Sequence, residues 1–517
     1  MTLVELLERA ALRRPDADAI VDGPRRLTYA ELAARAGALG AGFHALGVRR
    51  GDRVLIVLRN RLEHALAYWA LQTIGGVPTP VNFRLAAGEL RYVLEDSGAR
   101  VALCEPATAE ALGEAAGVQM VAVGGAAPTG AIAFAELAAG TASRRTVAVD
   151  ERDLSLLLYT SGTTGRPKGV PRTHRNHAAG AVAHVVQCGY TWGERTLGVM
   201  PLYHTMGIHA LTSMAAVNGC FVCQPEWSAA EALRLIAAER ITALYLIPTL
   251  YWDLLHAPGF DAERMRSVTK LAYAGAPMLA PLTEACVRAF RPAVFVNHYG
   301  STEIYTFTIR ADVGAKPGCA GRAGLHSAIR VVTASTDRRV GPDEIVKAGE
   351  KGEIIASLVS DEAFAGYWQR PDADARALRD GWYFTGDMGW VDADGELYVA
   401  GRVDDMIISG GENIHPVEVE EVLARHPDVA DVAVVGEPDV RWGERVAAFV
   451  VPRRPGLTAD AVDGYCRDAR DLASFKRPRR IVFVREIPKT ASGKILRRLL
   501  REGQYAAIET RPEGDDG

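Results

Sequence analysis

The stretch Tyr159-Thr160-Ser161-Gly162-Thr163-Thr164-Gly165-Arg166-Pro167-Lys168-Gly169-Val170 holds the densest set of anion-binding groups in the sequence. Its glycines allow close backbone approach to a ligand. Successive N–H groups in such a loop form an anion nest. Ser161, Thr163 and Thr164 add hydroxyl donors, and Lys168 adds a point charge. This is chemistry suited to a polyphosphate. The loop is not a Walker loop, because the spacing before the lysine differs and no Ser or Thr follows it. The apolar run Leu154 to Tyr159 reads as a buried strand feeding straight into the loop, which separates it from a solvated Gly/Thr turn.

Strands and helices of an α/β protein must hold this loop. Arg53 to Leu58, Ala243 to Ile247 and Leu271 to Ala274 read as further buried strands, with helical stretches such as Leu62 to Ile74 between them. Glu353 to Tyr398 is different: it is rich in Gly, Asp and aromatic residues, with turn signals at Asp380-Gly381 and Asp394-Gly395. After Gly401-Arg402 a compact α/β pattern begins, with a helix over Val417 to His426 and a strand over Val429 to Val435. A domain boundary is therefore expected near Arg402-Val403-Asp404, giving domains 1–402 and 403–517. The tail from about Ile508 is expected to be poorly ordered.

Four more motifs follow in order: Tyr299-Gly300-Ser301-Thr302-Glu303, Tyr383-Phe384-Thr385-Gly386-Asp387, Gly401-Arg402 and Pro488-Lys489-Thr490-Ala491-Ser492-Gly493-Lys494. With the glycine-rich loop they resemble the motif set of the adenylate-forming superfamily: acyl-CoA synthetases, peptide-synthetase adenylation domains and luciferases. The resemblance spans nearly the whole chain. It implies an α/β fold, with a large N-terminal domain of layered sheets, a small barrel-like β part and a small mobile α+β C-terminal domain. It also implies a reaction. ATP converts a carboxylate into an acyl-AMP, pyrophosphate leaves, and a thiol then displaces AMP.

Site residues carry over from that resemblance position by position. Thr160, Ser161, Gly162, Thr163, Thr164, Gly165 and Lys168 would cradle phosphates. Glu303 would hold Mg²⁺ and Thr302 would contact phosphate. Tyr299 would stack on adenine, with Gly275-Ala276-Pro277 lining the opposite side and His298, Gly300 and Ser301 adjoining. Asp387 would take both ribose hydroxyls, assisted by Arg402. Lys494 would be the adenylation catalyst, delivered when the small domain swings about a hinge at Asp404. Gly410 and Gly411 would line a thiol tunnel in the other pose.

The segment Gly401 to Pro416, with Arg441-Trp442-Gly443 and Phe475-Lys476-Arg477-Pro478, is similar to the 4-chlorobenzoate:CoA ligase branch. In that branch Trp442, Phe475, Arg477 and Arg84 would meet the CoA nucleotide; an aromatic with cations suits an adenine bearing phosphates. Pro201-Leu202-Tyr203-His204 matches the segment whose histidine borders the carboxylate. The acyl pocket would be lined by His204, Thr205, Met206, Tyr245, Ala274, His298, Gly300, Tyr305 and Thr306, with His184 nearby. The matching chlorobenzoate-enzyme positions include an Ile at His298 and a Met at Tyr305. This more polar set suits a hydroxybenzoate-like or furoate-like acid. The alternatives are a fatty acid CoA ligase, an aryl-acid adenylation enzyme loading a carrier protein, and a non-catalytic ATP-binding regulator. The presence of Lys494, Glu303 and Asp387 speaks against the last.

Composition bounds the rest. With 59 Lys+Arg against 63 Asp+Glu over 517 residues, there is no basic footprint for nucleic acid. No apolar run reaches membrane-spanning length, and Met1 to Arg9 reads as an amphipathic helix rather than a signal peptide. The expected partners are therefore small molecules: a carboxylic acid, ATP and CoA. The family's frequent dimerisation leaves a homodimer open. Seven scattered cysteines imply reduced thiols and a cytoplasmic setting. Cys220-Phe221-Val222-Cys223 reads as a structural strand, and His174, His177, His204 and His209 lack a carboxylate pattern for a metal.

Overall fold

A computed structural model describes the chain except residues 114–116, 126–128, 140–146, 161–166, 336–337, 410–411, 470–471, 491–492 and 509–517. The side chains of Asp404, Ile408, Glu412 and Asn413 also lie outside the description.

The first part of the chain is built on two large sheets. One has nine strands in the order Arg322–Ala323, Thr308–Ala311, Val294–Tyr299, Lys270–Tyr273, Ala243–Leu246, Arg195–Gly198, Cys220–Cys223, Asp18–Asp22 and Arg25–Thr28. Its centre, from Val294–Tyr299 to Asp18–Asp22, is parallel, and antiparallel strands close both edges. The other has five parallel strands, with Arg53–Val57 between Val77–Pro80 and Val101–Cys104. Alternation along Arg53–Val57 explains its double burial. Val54 and Ile56 join the main core, while Leu55 and Val57 pack into a second cluster with Leu90, Val93 and Leu94 of the helix Ala87–Ser97. The hairpin Leu154–Thr160 and Lys168–Thr173 carries the glycine-rich loop between its arms, with Thr160 paired to Lys168.

A third sheet, antiparallel and five-stranded, comprises Ile329–Val332, Gly352–Ser357, Trp382–Val391, Leu378–Arg379 and Leu397–Arg402. Asp380-Gly381 turns between the last short strand and Trp382–Val391 with positive φ at both residues (47° and 79°), as the dipeptide predicts.

The C-terminal part has its own core. A mixed sheet of Glu412–Ile414, Ile407–Ser409, Gly443–Pro452, Val429–Asp439 and Arg480–Phe483 splits its side chains between two faces. Val432, Val434 and Val446 meet the helices Pro416–Ala424 and Ala459–Asp468; Ala433, Val435 and Phe449 meet Leu500 of the helix Arg497–Arg501. This part touches the first through Gly493, where a side chain would run into Ile247, and through an ion pair of Glu418 with Lys351.

Element ends moved slightly from expectation. The helix read over Val417 to His426 runs Pro416–Ala424, with proline as its first helical residue. The following strand extends to Asp439 because its partner Gly443–Pro452 continues the ladder. At the tail, Ile508 is held rather than loose: its amide donates to the Phe483 carbonyl at 2.8 Å. The amphipathic start is the helix Leu3–Arg13, capped by Thr2. Cys220–Cys223 is a buried strand with free thiols. Among the described residues, no helix is long and apolar enough to cross a membrane.

Candidate active site

Antiparallel pairing places Asp387 opposite Arg402 on neighbouring strands. Arg402 Nη1 donates to Asp387 Oδ1 at 2.8 Å and to the Thr385 carbonyl at 2.9 Å. Tyr299, the last residue of its strand, donates its phenol to Asp387 Oδ2 at 2.7 Å. Gly386, at φ +71°, is required here, because a Cβ would lie 2.8 Å from the Arg402 guanidinium. The Asp387 carboxylate is thus fixed from both sides, and each oxygen keeps a lone pair for a diol. Tyr299 holds Asp387 as well as presenting its ring.

Lys494 belongs to the same neighbourhood. Its backbone is pinned in a turn, with Lys494 N to Thr490 Oγ1 at 3.1 Å and Thr490 N to the Lys494 carbonyl at 2.8 Å. Solvent still reaches the residue, yet surrounding protein, and then the Arg402 charge, lower the affinity of its ammonium for the proton; Asp387 and Asp405 oppose that. Groups from both parts of the chain therefore lie within electrostatic reach of one another.

Glu303 lies in a tight turn beneath the phosphate hairpin. Ser301 Oγ accepts from the amides of Glu303 (3.2 Å) and Ile304 (3.3 Å). Buried Arg172 donates from Nη1 to the carbonyls of Thr302 (3.0 Å) and Glu303 (2.9 Å), and Phe364 N donates to the Glu303 carbonyl at 2.9 Å. Tyr367 donates to Glu303 Oε1 at 2.6 Å. Burial first, and the Glu303 charge second, keep that phenol protonated. Lys168 Nζ stands 4.1 Å from the centre of the Tyr367 ring. Burial lowers the Lys168 pKa and Glu303 opposes the shift. The buried carboxylate, with Oε2 outside the tyrosine bond and a lysine close by, fits a hard divalent cation shared with phosphate oxygens.

Three of the residues assigned to the acyl pocket sit at the carboxyl ends of neighbouring parallel strands, where open α/β sheets bind ligands. Tyr245 is in Ala243–Leu246, Ala274 follows Lys270–Tyr273, and His298 is in Val294–Tyr299. Gly300 permits the next turn, since a Cβ there would meet the Tyr305 carbonyl at 1.9 Å. Tyr305 Oη is 2.9 Å from His184 Nδ1 and 3.2 Å from Tyr245 Oη. The His209 ring stacks on Tyr305 at 3.5 Å. Thr306 N donates to Glu362 Oε2 at 3.0 Å. His204 precedes the helix Thr205–Ala216, which also carries Met206; burial pushes its pKa down to about 4, so it is a neutral imidazole at physiological pH.

Gly275, Ala276 and Pro277 form a turn after Lys270–Tyr273, with Gly275 and Pro277 exposed and Gly275 at φ +86°. Of the phosphate loop, Thr160 and Lys168 are placed; Ser161, Gly162, Thr163, Thr164 and Gly165 lie outside the described residues, as do Gly410, Gly411 and the Asp404 side chain. On the face expected for CoA, Ser409 pairs with Gly443, the neighbour of Trp442. Trp442 and Phe475 are 44% and 41% exposed, so both rings are open to a ligand. Arg477 Nε meets Asp463 at 2.7 Å, and Arg84 lies against the Phe83 ring, which touches Tyr203.

The sequence reading passed over Arg172, Tyr367, Glu362 and Cys188. Tyr367 had a signal, since Gly366-Tyr367-Trp368 lies within the Gly-, Asp- and aromatic-rich stretch Glu353 to Tyr398. The others act through long-range packing.

The chain matches the AMP-binding enzyme family over residues 7–368 and the AMP-binding enzyme C-terminal domain over residues 418–494. It belongs to the AMP-binding enzymes. It is 34% identical to a 4-chlorobenzoate–CoA ligase from Arthrobacter sp, over 99% of this chain and 97% of that protein. It is 37% identical to a feruloyl-CoA synthase from Amycolatopsis sp, over 95% and 96%. The crystal structure of an anthranilate CoA ligase with anthranoyl-AMP superposes with a TM-score of 0.89 at 28% identity, covering 98% of this chain and 97% of that one. This AMP-binding enzyme is an AMP-forming acyl- or aryl-CoA synthetase near the benzoate-type branch, and it uses ATP and CoA.

Proposed function

We propose that this synthetase activates a small aromatic or heteroaromatic acid bearing a polar ring group, hydroxybenzoate-like or furoate-like, and passes the acyl group to CoA with release of AMP and pyrophosphate. The observation that carries the reading is the polar set His184, Tyr305 and Tyr245 with His298 beside it, whose buried Nδ1 has no partner among the described residues and would stay unmatched against an apolar acid. The curated relatives named above act on ring-bearing acids, which supports the same class.

In this reading neutral His204 borders the carboxylate without adding charge. Lys494 reaches the carboxylate and the α-phosphate and counters the charge that grows there. Asp387, steadied by Tyr299 and Arg402, orients the ribose, while the hairpin from Thr160 to Lys168 orients the phosphates. Glu303, with Tyr367 at its side, holds Mg²⁺, which when bound neutralises phosphate charge. We assign residues 1–402 and 403–517 to two domains with the hinge at Asp404. The second domain then exchanges Lys494 for the Gly410-Gly411 face, and Trp442, Phe475, Arg477 and Arg84 receive the CoA nucleotide.

The test is a crystal structure with a non-hydrolysable hydroxybenzoyl-adenylate analogue. The ribose is expected on Asp387 and the ring between Tyr245, His298 and Tyr305. An analogue bound with its ring elsewhere contradicts the pocket assignment.

A further inference from the structure

We propose that His184, Cys188 and His298 form a binding site for one thiophilic divalent ion, with Zn²⁺ the best fit. His184 and Cys188 stand four residues apart at the end of the helix His174–Gln187, on one side of it. His298 faces them from the strand Val294–Tyr299. One ligand atom from each residue lies within 4.8 Å of the others. Cys188 Sγ is 3.3 Å from His298 Nε2 and 3.8 Å from either ring nitrogen of His184. Tetrahedral zinc, with Zn–S about 2.3 Å and Zn–N about 2.0–2.1 Å, holds sulfur and nitrogen about 3.5 Å apart. The sulfur–nitrogen separations therefore need to change by only a few tenths of an ångström, while the two imidazole nitrogens, within 4.8 Å of one another, close toward the about 3.3 Å of a tetrahedral site.

The surroundings have the form of a ligand shell. Tyr305 Oη sits 2.9 Å from His184 Nδ1, where it accepts from N–H and leaves Nε2 for the ion. Tyr190 Oη is 3.3 Å from that Nε2 and gives up this hydrogen bond when the ion binds. The three residues are 0%, 1% and 3% exposed, and His298 Nδ1 has no partner among the described residues. Sulfur with two imidazoles selects a soft ion and distinguishes this cluster from the all-oxygen chemistry at Glu303.

The binding step balances simply. The Cys188 S–H bond breaks, its proton leaves to solvent, and an S–Zn bond forms; nothing is oxidised. Thiolate and ion together carry one positive charge, which is neutralised when a water in the fourth position loses a second proton to solvent and becomes hydroxide. His298 and Tyr305 also line the acyl pocket of the proposed function. On that reading, occupancy changes the KM of the acid and leaves the KM of ATP unmoved.

The experiment is to produce the whole chain in zinc-depleted, cobalt-supplemented medium and pass it through a desalting column. The expected result is one retained Co²⁺ with a thiolate-to-cobalt charge-transfer band and tetrahedral visible bands. In Cys188→Ser, with fold checked by circular dichroism, the charge-transfer band is lost. Affinity in that variant falls by more than the about 10–100-fold that loss of an outer-shell partner costs. No retained metal, or a cobalt spectrum without the thiolate band, overturns the site. A thiolate band with an unchanged acid KM in the zinc-loaded enzyme keeps the ion site and overturns the acyl-pocket placement of His298 instead.

Discussion

Tyr367 donates its phenolic O–H to Glu303 Oε1 at 2.6 Å, with the Lys168 ammonium over the face of its ring. One aromatic residue thus joins the carboxylate assigned to Mg²⁺ with the lysine assigned to phosphate. A hydrogen bond to a charged group is worth about 1.5–3 kcal/mol. Tyr367→Phe keeps the ring and removes the bond. Its kcat/KM for ATP should fall by roughly 10- to 100-fold, with the Mg²⁺ dependence moved to higher concentration. A steady-state Mg²⁺ titration at fixed ATP checks this, and an unmoved midpoint refutes the link.

Lys494 is brought to Asp387 and Arg402 by the second part of the chain. Lys494→Ala should slow acyl-adenylate formation by about 10²–10³-fold, the scale for removing one group that stabilises transition-state charge. Transfer from preformed acyl-AMP to CoA should stay near the wild-type rate. Single-turnover assays of the two half-reactions separate these outcomes, and equal loss in both contradicts the assigned role.

His298 is buried, with its pKa pushed down to about 3 by that burial, so it is neutral across physiological pH. His298→Ile replaces a polar ring with an apolar side chain. The ratio of kcat/KM for chlorobenzoate over hydroxybenzoate should rise by about 10- to 200-fold, the range one pocket contact supplies. An unchanged ratio removes His298 from the ring-facing set.

Burial pushes the Glu362 carboxyl up to about 7, with Arg172 opposing the shift. A folded-state pKa above the unfolded value stabilises the fold fully below the unfolded pKa and loses that stabilisation as pH rises through the folded one. Between about pH 4.5 and 7 the wild type should therefore lose stability relative to Glu362→Gln. Melting temperatures measured at pH 5 and pH 8 check the sign: the two proteins should lie close at the lower pH and the variant should melt higher at the upper. A gap that closes with rising pH contradicts it.

Much of this arrangement is legible in the sequence. Leu154 to Tyr159 and Ala243 to Ile247 announced strands because their apolar runs are short and bounded by turn residues. Asp387 and Arg402 announced themselves by motif, and antiparallel pairing then placed them face to face. Arg172 and Glu362 gave no local sign. They hold the Ser301 to Thr306 segment from different sides, and only the tertiary fold brings residues so far apart in sequence to that turn. Cys188 was counted among scattered thiols because its histidine partner His298 lies 110 residues away.

The central claim is that an aromatic acid, ATP and CoA become a thioester through one adenylate intermediate. Its most direct measurement follows AMP, pyrophosphate and thioester together across a panel of hydroxybenzoate, furoate, benzoate and fatty acids with ATP, Mg²⁺ and CoA. The account predicts the three products in equal amounts, with hydroxybenzoate or furoate giving the highest kcat/KM. AMP and pyrophosphate without thioester, or a fatty acid preferred over every ring acid, would contradict it.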